Sequence, residues 1–255
     1  MNLKDYCFPV TERPVCIYDG KNKKIDLDDR QTFLPADYKS IIREDTNEVI
    51  SIVRNSYTLI KNEEIINQLL RQLAQINTPF LLHESHSFVQ NNRMRLQITF
   101  PKIYLNDSKS EIPLSLYLHN SYDMSEGVRF FWGFLRLVCK NGLIAGKLMD
   151  SFYSKHTSGF RMDDLGEQLD RVSDFLPTIQ HRIDELQILP VTPQLEEAVQ
   201  THLGKRLAKQ VLDQEQEIKE SQWDLLNKCT HIISHDLDQP LRFRYQKAVS
   251  QVFGI

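Results

Sequence analysis

Apolar and polar residues alternate with a period of two through the middle of the chain. Between residues 93 and 100 an apolar series alternates with a polar one: Met94, Leu96, Ile98 and Phe100 against Arg93, Arg95, Gln97 and Thr99. A period of two is typical of a β-strand that places one face on the core. The pattern predicts a strand whose arginines lie on the solvent face, preceded by a tight turn at Asn91-Asn92.

Three neighbouring segments extend this β-pattern. Residues 80–90 precede the turn, residues 113–120 carry alternating leucines, and residues 127–139 are rich in aromatic side chains. Four consecutive strands joined by short turns predict an antiparallel meander, with helices covering one face.

The N-terminal part gives weaker signals. Residues 1–37 carry Pro9, Pro14 and Pro35 and are expected to form a mainly irregular lead-in, with room for a short strand such as Val15 to Tyr18. Residues 38–44 and 49–60 predict a hairpin around a turn at residues 45–47. Asn62 suits the N-cap of a helix that runs to about residue 76.

The C-terminal half is predicted to be helical. An apolar seam has alternating four–three spacing: Leu165, Leu169, Val172, Leu176, Ile179, Ile183 and Leu186. Pro177 should kink or split that helix, and we expect the seam to dock on its own domain rather than on another copy. Ser221 and Asp224 predict a capped helix start, as does Thr192-Pro193.

These patterns together predict an α+β fold in three parts. Residues 1–37 are the lead-in, residues 38–158 form the core with the meander, and residues 159–255 form a helical region packed on it.

Composition and charge exclude several classes of protein. The chain has 255 residues, a net charge of −3 and no apolar run long enough to span a membrane. Its start lacks the features of a secretory signal, so a cytoplasmic location is expected. The four cysteines have no Cys-Xaa-Xaa-Cys spacing. Phosphate-binding and dinucleotide-binding glycine motifs are lacking too, so we expect no cofactor.

A basic strip on the meander is the predicted nucleic-acid interface. It comprises Arg93, Arg95, Lys102, Arg129, Arg136 and Lys140, interleaved with Tyr104, Tyr117 and Phe131. Cations with stacking aromatic rings hold single-stranded nucleic acid without reading its bases. The alternative is an ordinary solvated sheet face.

Polar residues at the end of the third strand form a second candidate site. His119, Asn120, Ser121 and Asp123 lie where a strand enters a loop, and they suit either a ligand site or a turn. A catalytic alternative combines His119 and Asp123 with Cys139, beside Lys140, and with His156.

A histidine pair late in the chain is the candidate metal site. His231 and His235 are four residues apart, so a helix would place both on one face. A metalloprotease motif would need a glutamate after the first histidine, where this chain has Ile232. A solvated pair near a helix end is the simpler interpretation.

Several scattered motifs resemble domain-of-unknown-function family 932, whose members are encoded by phages and plasmids. The residues that carry the resemblance are Tyr57 with Asn62, the patch at Asn120, Arg136 to Asn141, His156-Thr157, and Trp223 with Asn227. It covers roughly residues 38 to 254. One departure is the loop from Asp123 to Gly127, where the family has adjacent Asp and Gly. The resemblance implies a mobile-element protein and no particular activity.

The function expected from these features is non-enzymatic binding of single- or double-stranded DNA in replication, repair or recombination. The predicted order of helix, meander and helix also resembles the core of single-strand annealing recombinases, an analogy of fold alone. One alternative is a protein partner that counteracts a host defence system, and another is a hydrolase or transferase. Homo-oligomerisation fits the DNA-binding function, because annealing-type proteins assemble into rings or filaments. No membrane association is expected.

Overall fold

The computed structural model describes residues 6–18, 33–83, 87–90, 92–136, 141–143, 152–154, 165–212, 221–237 and 239–255. Within these ranges the chain forms two antiparallel sheets and five α-helices, four of them in the C-terminal half. The predicted α+β fold is confirmed. Three predicted site residues, Cys139, Lys140 and His156, lie outside the described ranges.

The N-terminal sheet has three strands in the order β1 (Val10–Tyr18), β2 (Phe33–Arg43) and β3 (Glu48–Arg54). The hairpin between β2 and β3 was predicted, and Asn47 adopts the positive φ of 56° that its turn needs. The interpretation of residues 1–37 as a mainly irregular lead-in was wrong for the first half of β1 and the start of β2. Pro14 is tolerated because β1 is an edge strand with an irregularity in its pairing between Pro14 and Cys16.

The larger sheet contains the predicted meander. Its strands are β4 (Leu81–Leu82), β5 (Phe88–Gln90), β6 (Arg93–Asn106), β7 (Glu111–Ser121), β8 (Val128–Arg136), β9 (Asn141–Leu143) and β10 (Phe152–Ser154). Strands β6, β7 and β8 pair antiparallel in sequence order, with β4 and β5 on the free edge of β6. Asn92 takes a φ of 61° in the turn before β6, as its position predicted.

The central strands of this sheet are buried on both faces. Met94, Leu96, Ile98 and Phe100 on β6 enter the main hydrophobic core, as their alternation predicted. The polar series on the opposite face is buried as well: Arg95, Gln97 and Thr99. The expectation that this face is open to solvent was therefore wrong. Hydrogen bonds satisfy part of it, since Gln97 Nε2 donates to Ser115 Oγ at 3.1 Å.

The helices are α1 (Asn62–Leu73), α2 (Leu165–Ile188), α3 (Pro193–Leu212), α4 (Gln222–Asp236) and α5 (Gln239–Phe253). Six of the seven seam residues of α2 are buried and Leu176 is half-buried, since α2 packs on α4, β6 and α1. The expected docking is confirmed. Pro177 does not split α2, which is continuous across it. No helix in the described ranges combines the length and apolarity needed to cross a membrane.

Two predicted helix starts are confirmed and one is corrected. Ser221 Oγ accepts from Asp224 N at 3.1 Å, and α3 begins at Pro193. Asn62, however, is the first residue of α1 rather than its N-cap, which is Lys61. The Asn62 amide N–H donates instead to the Tyr122 hydroxyl at 2.6 Å, so a residue from beyond β7 performs the capping.

Candidate functional site

The predicted basic strip contains a buried ion-pair cluster. Arg95 is only 5% exposed, and its guanidinium donates to the Glu126 carboxylate and, at 3.0 Å, to the Met94 carbonyl oxygen. His119 Nδ1 lies 3.5 Å from the other oxygen of Glu126. The Glu126 carboxylate thus contacts two basic side chains. These side chains lie opposite each other because Arg95 on β6 pairs with His119 on β7.

Burial sets the protonation states in this cluster. Burial, with the Arg95 cation as a smaller cause, lowers the pKa of His119 to about 4. Burial alone would raise the pKa of Glu126, but His119 and Arg95 together lower it to about 2. At neutral pH the cluster therefore holds an anionic Glu126, a cationic Arg95 and a neutral His119.

The other members of the strip are dispersed. Arg93 Nε lies 3.3 Å from an Asp123 carboxylate oxygen, and both side chains are half-buried. Arg129 is half-buried opposite His119 on β8, whereas Lys102 is exposed. Arg136 ends β8, but its side chain, like all of Lys140, is outside the described part of the chain. The six residues do not form one open surface within the described structure.

The aromatic rings expected to stack on nucleic-acid bases are engaged within the protein. Tyr117 and Phe131 stack with centroids 5.0 Å apart and planes 7° apart, and His119 meets Phe131 edge-on. Phe131 is buried, so neither its ring face nor its edge is offered to a ligand. Tyr104 is 40% exposed but lies beyond the irregularity in the pairing of β6 with β7.

The polar cluster at the end of β7 divides between the two faces of the sheet. Asn120 is fully buried and donates to the Asn62 side-chain oxygen at 2.8 Å and to the Ile60 carbonyl. Ser121 Oγ accepts from Glu126 N at 3.1 Å and Asp123 accepts from Ser125 N at 3.0 Å, so both residues shape the loop into β8. The described contacts fit the turn interpretation.

The catalytic and metal candidates acquire no supporting geometry. Of the four proposed catalytic residues only His119 and Asp123 are described, and the carboxylate beside His119 belongs to Glu126. His231 and His235 share one exposed helix face, with ring centroids 4.4 Å apart. In the described ranges no three His, Cys, Asp or Glu side chains come close enough together to hold a metal ion.

The outward face of the N-terminal sheet was missed by the sequence analysis. Val10, Ile41 and Val53 turn inward and are buried, so the alternate residues face outward. Cross-strand pairing places three rows on that side: Thr11, Ile42 and Val49; Arg13, Ser40 and Ile52; Tyr38 and Arg54. These rows contain two cations and no carboxylate.

This face exposes apolar and aromatic side chains. Tyr38 is 43% exposed, and Ile52 and Val49 are each 54% exposed. Across the described residues, the guanidinium groups of Arg13 and Arg54 take part in no hydrogen bond or ion pair. The alternation of exposed Ile52 and Arg54 with buried Val53 was the signal that could have revealed this face, although Ser40 and Ile42 on the same side are themselves buried. The prolines of the preceding segment concealed the strand beside it.

A polar groove lies on the inner side of the same sheet. Its volume is about 580 Å³ and its lining is Thr11, Glu12, Lys39, Asn55, Ser56, Tyr57, Thr58, Leu59 and Lys61. Lys39 is paired with Glu12 at 2.9 Å. Burial raises the pKa of Tyr57, and nearby Glu12 and Asp123 raise it further.

Comparison with protein families agrees with the scattered motifs. The sequence model of the family described as Domain of unknown function (DUF932) matches residues 49–247, well over half of the chain. The chain belongs to this family. Searches of curated proteins and of solved structures find no match. The match includes β3 from its second residue and the groove residues 55–61, but Arg13 and Tyr38 precede it.

The structure assigns roles to several of the DUF932 motif residues. Asn62 and Asn120 are hydrogen-bonded to each other, which ties the start of α1 to the end of β7. Trp223 Nε1 donates to Asp107 at 3.0 Å in the turn between β6 and β7, and Asn227 donates to the Trp223 carbonyl. The Asn62–Asn120 and Trp223–Asp107 bonds join separate elements of the fold, whereas the Asn227 bond lies within α4.

Proposed function

We propose that this protein is a cytoplasmic, non-enzymatic binder of single-stranded nucleic acid, acting in replication, repair or recombination of a mobile element. The observation that carries the proposal is the outward face of the N-terminal sheet, where unpaired cations stand beside exposed apolar and aromatic side chains. This face replaces the meander as the interface, because Arg95 and Phe131 are buried there.

The arrangement of the face suits a flexible strand better than a duplex. Tyr38 lies on the central strand β2, while Arg13 and Arg54 lie on the two outer strands. Neighbouring strands are about 4.8 Å apart and successive outward residues about 7 Å apart, so all three side chains share one patch. A base can stack on the exposed tyrosine while the arginines contact the phosphodiester backbone.

Charge complementarity supports the same ligand. The chain as a whole carries a net charge of −3 and cannot attract a polyanion at long range. Locally, however, the three outward rows hold two guanidinium groups and no acid. Because exposed charges act over only about 8 Å at physiological salt, the local sign decides the contact.

Fluorescence anisotropy with a labelled oligothymidylate at low salt tests the proposal. Replacing Arg13 and Arg54 together by alanine should weaken binding about tenfold or more, because two charge-assisted contacts are lost. Tyr38→Ala should remove about 1–3 kcal/mol of stacking. Because all three side chains are exposed or unpaired, the melting temperature should stay nearly unchanged.

The matched control is the double variant Lys102→Ala and Arg171→Ala, which removes the same charge from exposed positions elsewhere. It should bind like the unaltered protein. An equal loss in the control would show non-specific attraction, and the absence of any binding at low salt would overturn the proposal.

A protein partner is the second candidate, since Val49 and Ile52 are exposed on a sheet face that ends in the edge strand β3. This is the surface that a protein counteracting a host defence system would use. A chain that retains Val49 and Ile52 but shows no affinity for any oligonucleotide would favour this second function. Replacing Ile52 by glutamate should then abolish capture of the partner.

A further inference from the structure

The groove on the inner side of the N-terminal sheet has the dimensions of a small-molecule site. Its volume of about 580 Å³ is in the middle of the range, about 300–1,000 Å³, that ligand pockets occupy. It is formed by β1, β2 and the segment that leads from β3 into α1. The groove therefore lies between two parts of the fold, a common location for binding sites.

The lining of the groove selects for a polar ligand. Hydroxyl groups come from Ser56 and Thr58, an amide comes from Asn55, and Leu59 is the single aliphatic residue of the lining. Most ligand pockets are predominantly apolar. A polar cleft of this size suits a molecule with many oxygen atoms, such as a sugar phosphate or a nucleotide, and it would hold an apolar ligand poorly.

The charges at the groove favour a single anionic group. The Lys39 ammonium is already compensated by Glu12 at 2.9 Å. Lys61 is exposed at the rim, and its ammonium makes no ion pair with any other residue in the described ranges. The lining thus has one uncompensated positive charge. A phosphate group is a natural counterion for a lysine of this kind.

Lys61 is available for this role because the fold does not otherwise use its side chain. It precedes α1 in an extended conformation, and its side chain makes no capping hydrogen bond. The Tyr122 hydroxyl caps the first N–H of the helix instead. Replacing Lys61 should therefore change ligand binding and leave the start of α1 intact.

We propose that the groove binds a nucleoside monophosphate, with its phosphate on Lys61 and its sugar and base along the hydroxyl-bearing segment from Ser56 to Leu59. The ligand is either a free nucleotide or the 5′-phosphorylated end of a strand, which present the same chemistry. This inference does not depend on the proposed function, because the Arg13–Arg54 patch lies on the opposite face of the sheet.

Isothermal titration calorimetry with adenosine monophosphate, adenosine and inorganic phosphate tests the site on the full chain. The nucleotide should bind more tightly than either fragment. Lys61→Ala should weaken nucleotide binding about tenfold or more, and Lys61→Arg should restore most of it. Lys102→Ala is the control and should bind the nucleotide normally. Unchanged melting temperatures would show that each variant is folded.

Two further experiments are needed. One distinguishes a free nucleotide from a strand end, and the other distinguishes the nucleotide groove from the Arg13–Arg54 interface. A preference for a 5′-phosphorylated over a 5′-hydroxyl oligonucleotide, lost in Lys61→Ala, would identify the strand end as the source. The Arg13→Ala, Arg54→Ala double variant should still bind the free nucleotide. The inference is overturned if no nucleotide binds, if inorganic phosphate binds equally well, or if Lys61→Ala has no effect.

Discussion

At the scale of single residues, Glu126 determines the chemistry of the buried face of the larger sheet. Its carboxylate contacts both Arg95 and His119, and all three side chains are largely removed from solvent. Because His119 is neutral above a pKa of about 4, Arg95 is the cation that balances Glu126 at neutral pH. The free energy of unfolding should consequently depend on pH, and it should fall more when Arg95 is replaced than when Arg93 is replaced.

The pH dependence follows from His119. In the unfolded chain its pKa is near 6.5, and burial lowers it to about 4 in the folded state. The unfolded state therefore binds the extra proton first, so stability is full above about pH 6.5 and declines toward pH 4. A shift of this size amounts to up to about 3 kcal/mol.

Urea denaturation of the unaltered protein and of His119→Gln, at several values between pH 7 and about pH 4, isolates this contribution. The decline in the free energy of unfolding should be shallower in the variant. Glu126, with a pKa of about 2, contributes its own loss only at lower pH, between about 4.5 and 2. Parallel curves for the two proteins would contradict a buried neutral histidine.

Arg93 and Arg95 should differ in their importance for stability. Arg95→Ala leaves Glu126 buried without its cation, which typically costs about 3–5 kcal/mol. Arg93→Ala breaks a half-buried pair with Asp123, and pairs nearer the surface are worth roughly 0–1 kcal/mol. Denaturation midpoints of the two variants give the comparison. Equally small effects would place Arg95 at the surface after all.

The alternation in β6 shows how far sequence reasoning reaches at this scale. The period of two correctly separated Met94 and Leu96 from Arg93 and Arg95, because successive strand residues point to opposite faces. It could not show that the second face is also covered, since coverage depends on chain segments distant in sequence. Likewise, nothing near Asn62 in the sequence indicates that Tyr122 would cap its N–H.

At the scale of elements, local signals were most reliable where a side chain and its target are close in sequence. The cap at Ser221 and the turn at Asn92 were predicted for this reason. The first half of β1, through Pro14, was missed because a proline is normally a break in a strand. Its position on an edge strand makes the missing N–H harmless, and edge status depends on the whole sheet.

Pro177 illustrates the opposite case, in which tertiary packing overrides a local penalty. Leu169, Val172, Ile179 and Ile183 anchor α2 on both sides of the proline, so the helix continues through it. Because the seam is buried within the chain, self-association would need another surface. The packing compensates for the local cost of Pro177, so replacing this proline should raise the free energy of unfolding.

Pro177→Ala should stabilise the protein. An interior proline costs about 3 kcal/mol in a helix, whereas replacing it releases up to about 1 kcal/mol of restriction in the unfolded chain. The expected gain is about 2 kcal/mol, measured by urea denaturation. Thr178→Ala, at the next exposed position, is the control and should gain less than about 0.7 kcal/mol. A loss of stability in Pro177→Ala would show that α2 needs a bend there.

At the scale of the whole molecule, the polar surfaces of the two sheets have different fates. The larger sheet buries its charged face, and Arg95 and Arg93 are neutralised internally by Glu126 and Asp123. The smaller sheet leaves Arg13 and Arg54 uncompensated among the described residues. A chain with a net charge of −3 therefore keeps a local positive patch, and the effect of salt on binding should report on that patch alone.

The salt dependence of oligonucleotide binding should be shallow and should originate from these two arginines. On a single strand, each phosphate that a protein cation neutralises contributes a slope of about −0.7 to the logarithm of affinity against the logarithm of salt concentration. Replacing Arg13 and Arg54 by alanine should therefore reduce the slope by about 1.4. The Lys102→Ala, Arg171→Ala control should keep the original slope, since those cations lie elsewhere. Anisotropy titrations over a salt series measure both values, and a slope that the Arg13, Arg54 variant leaves intact would mean that the strand binds on another surface.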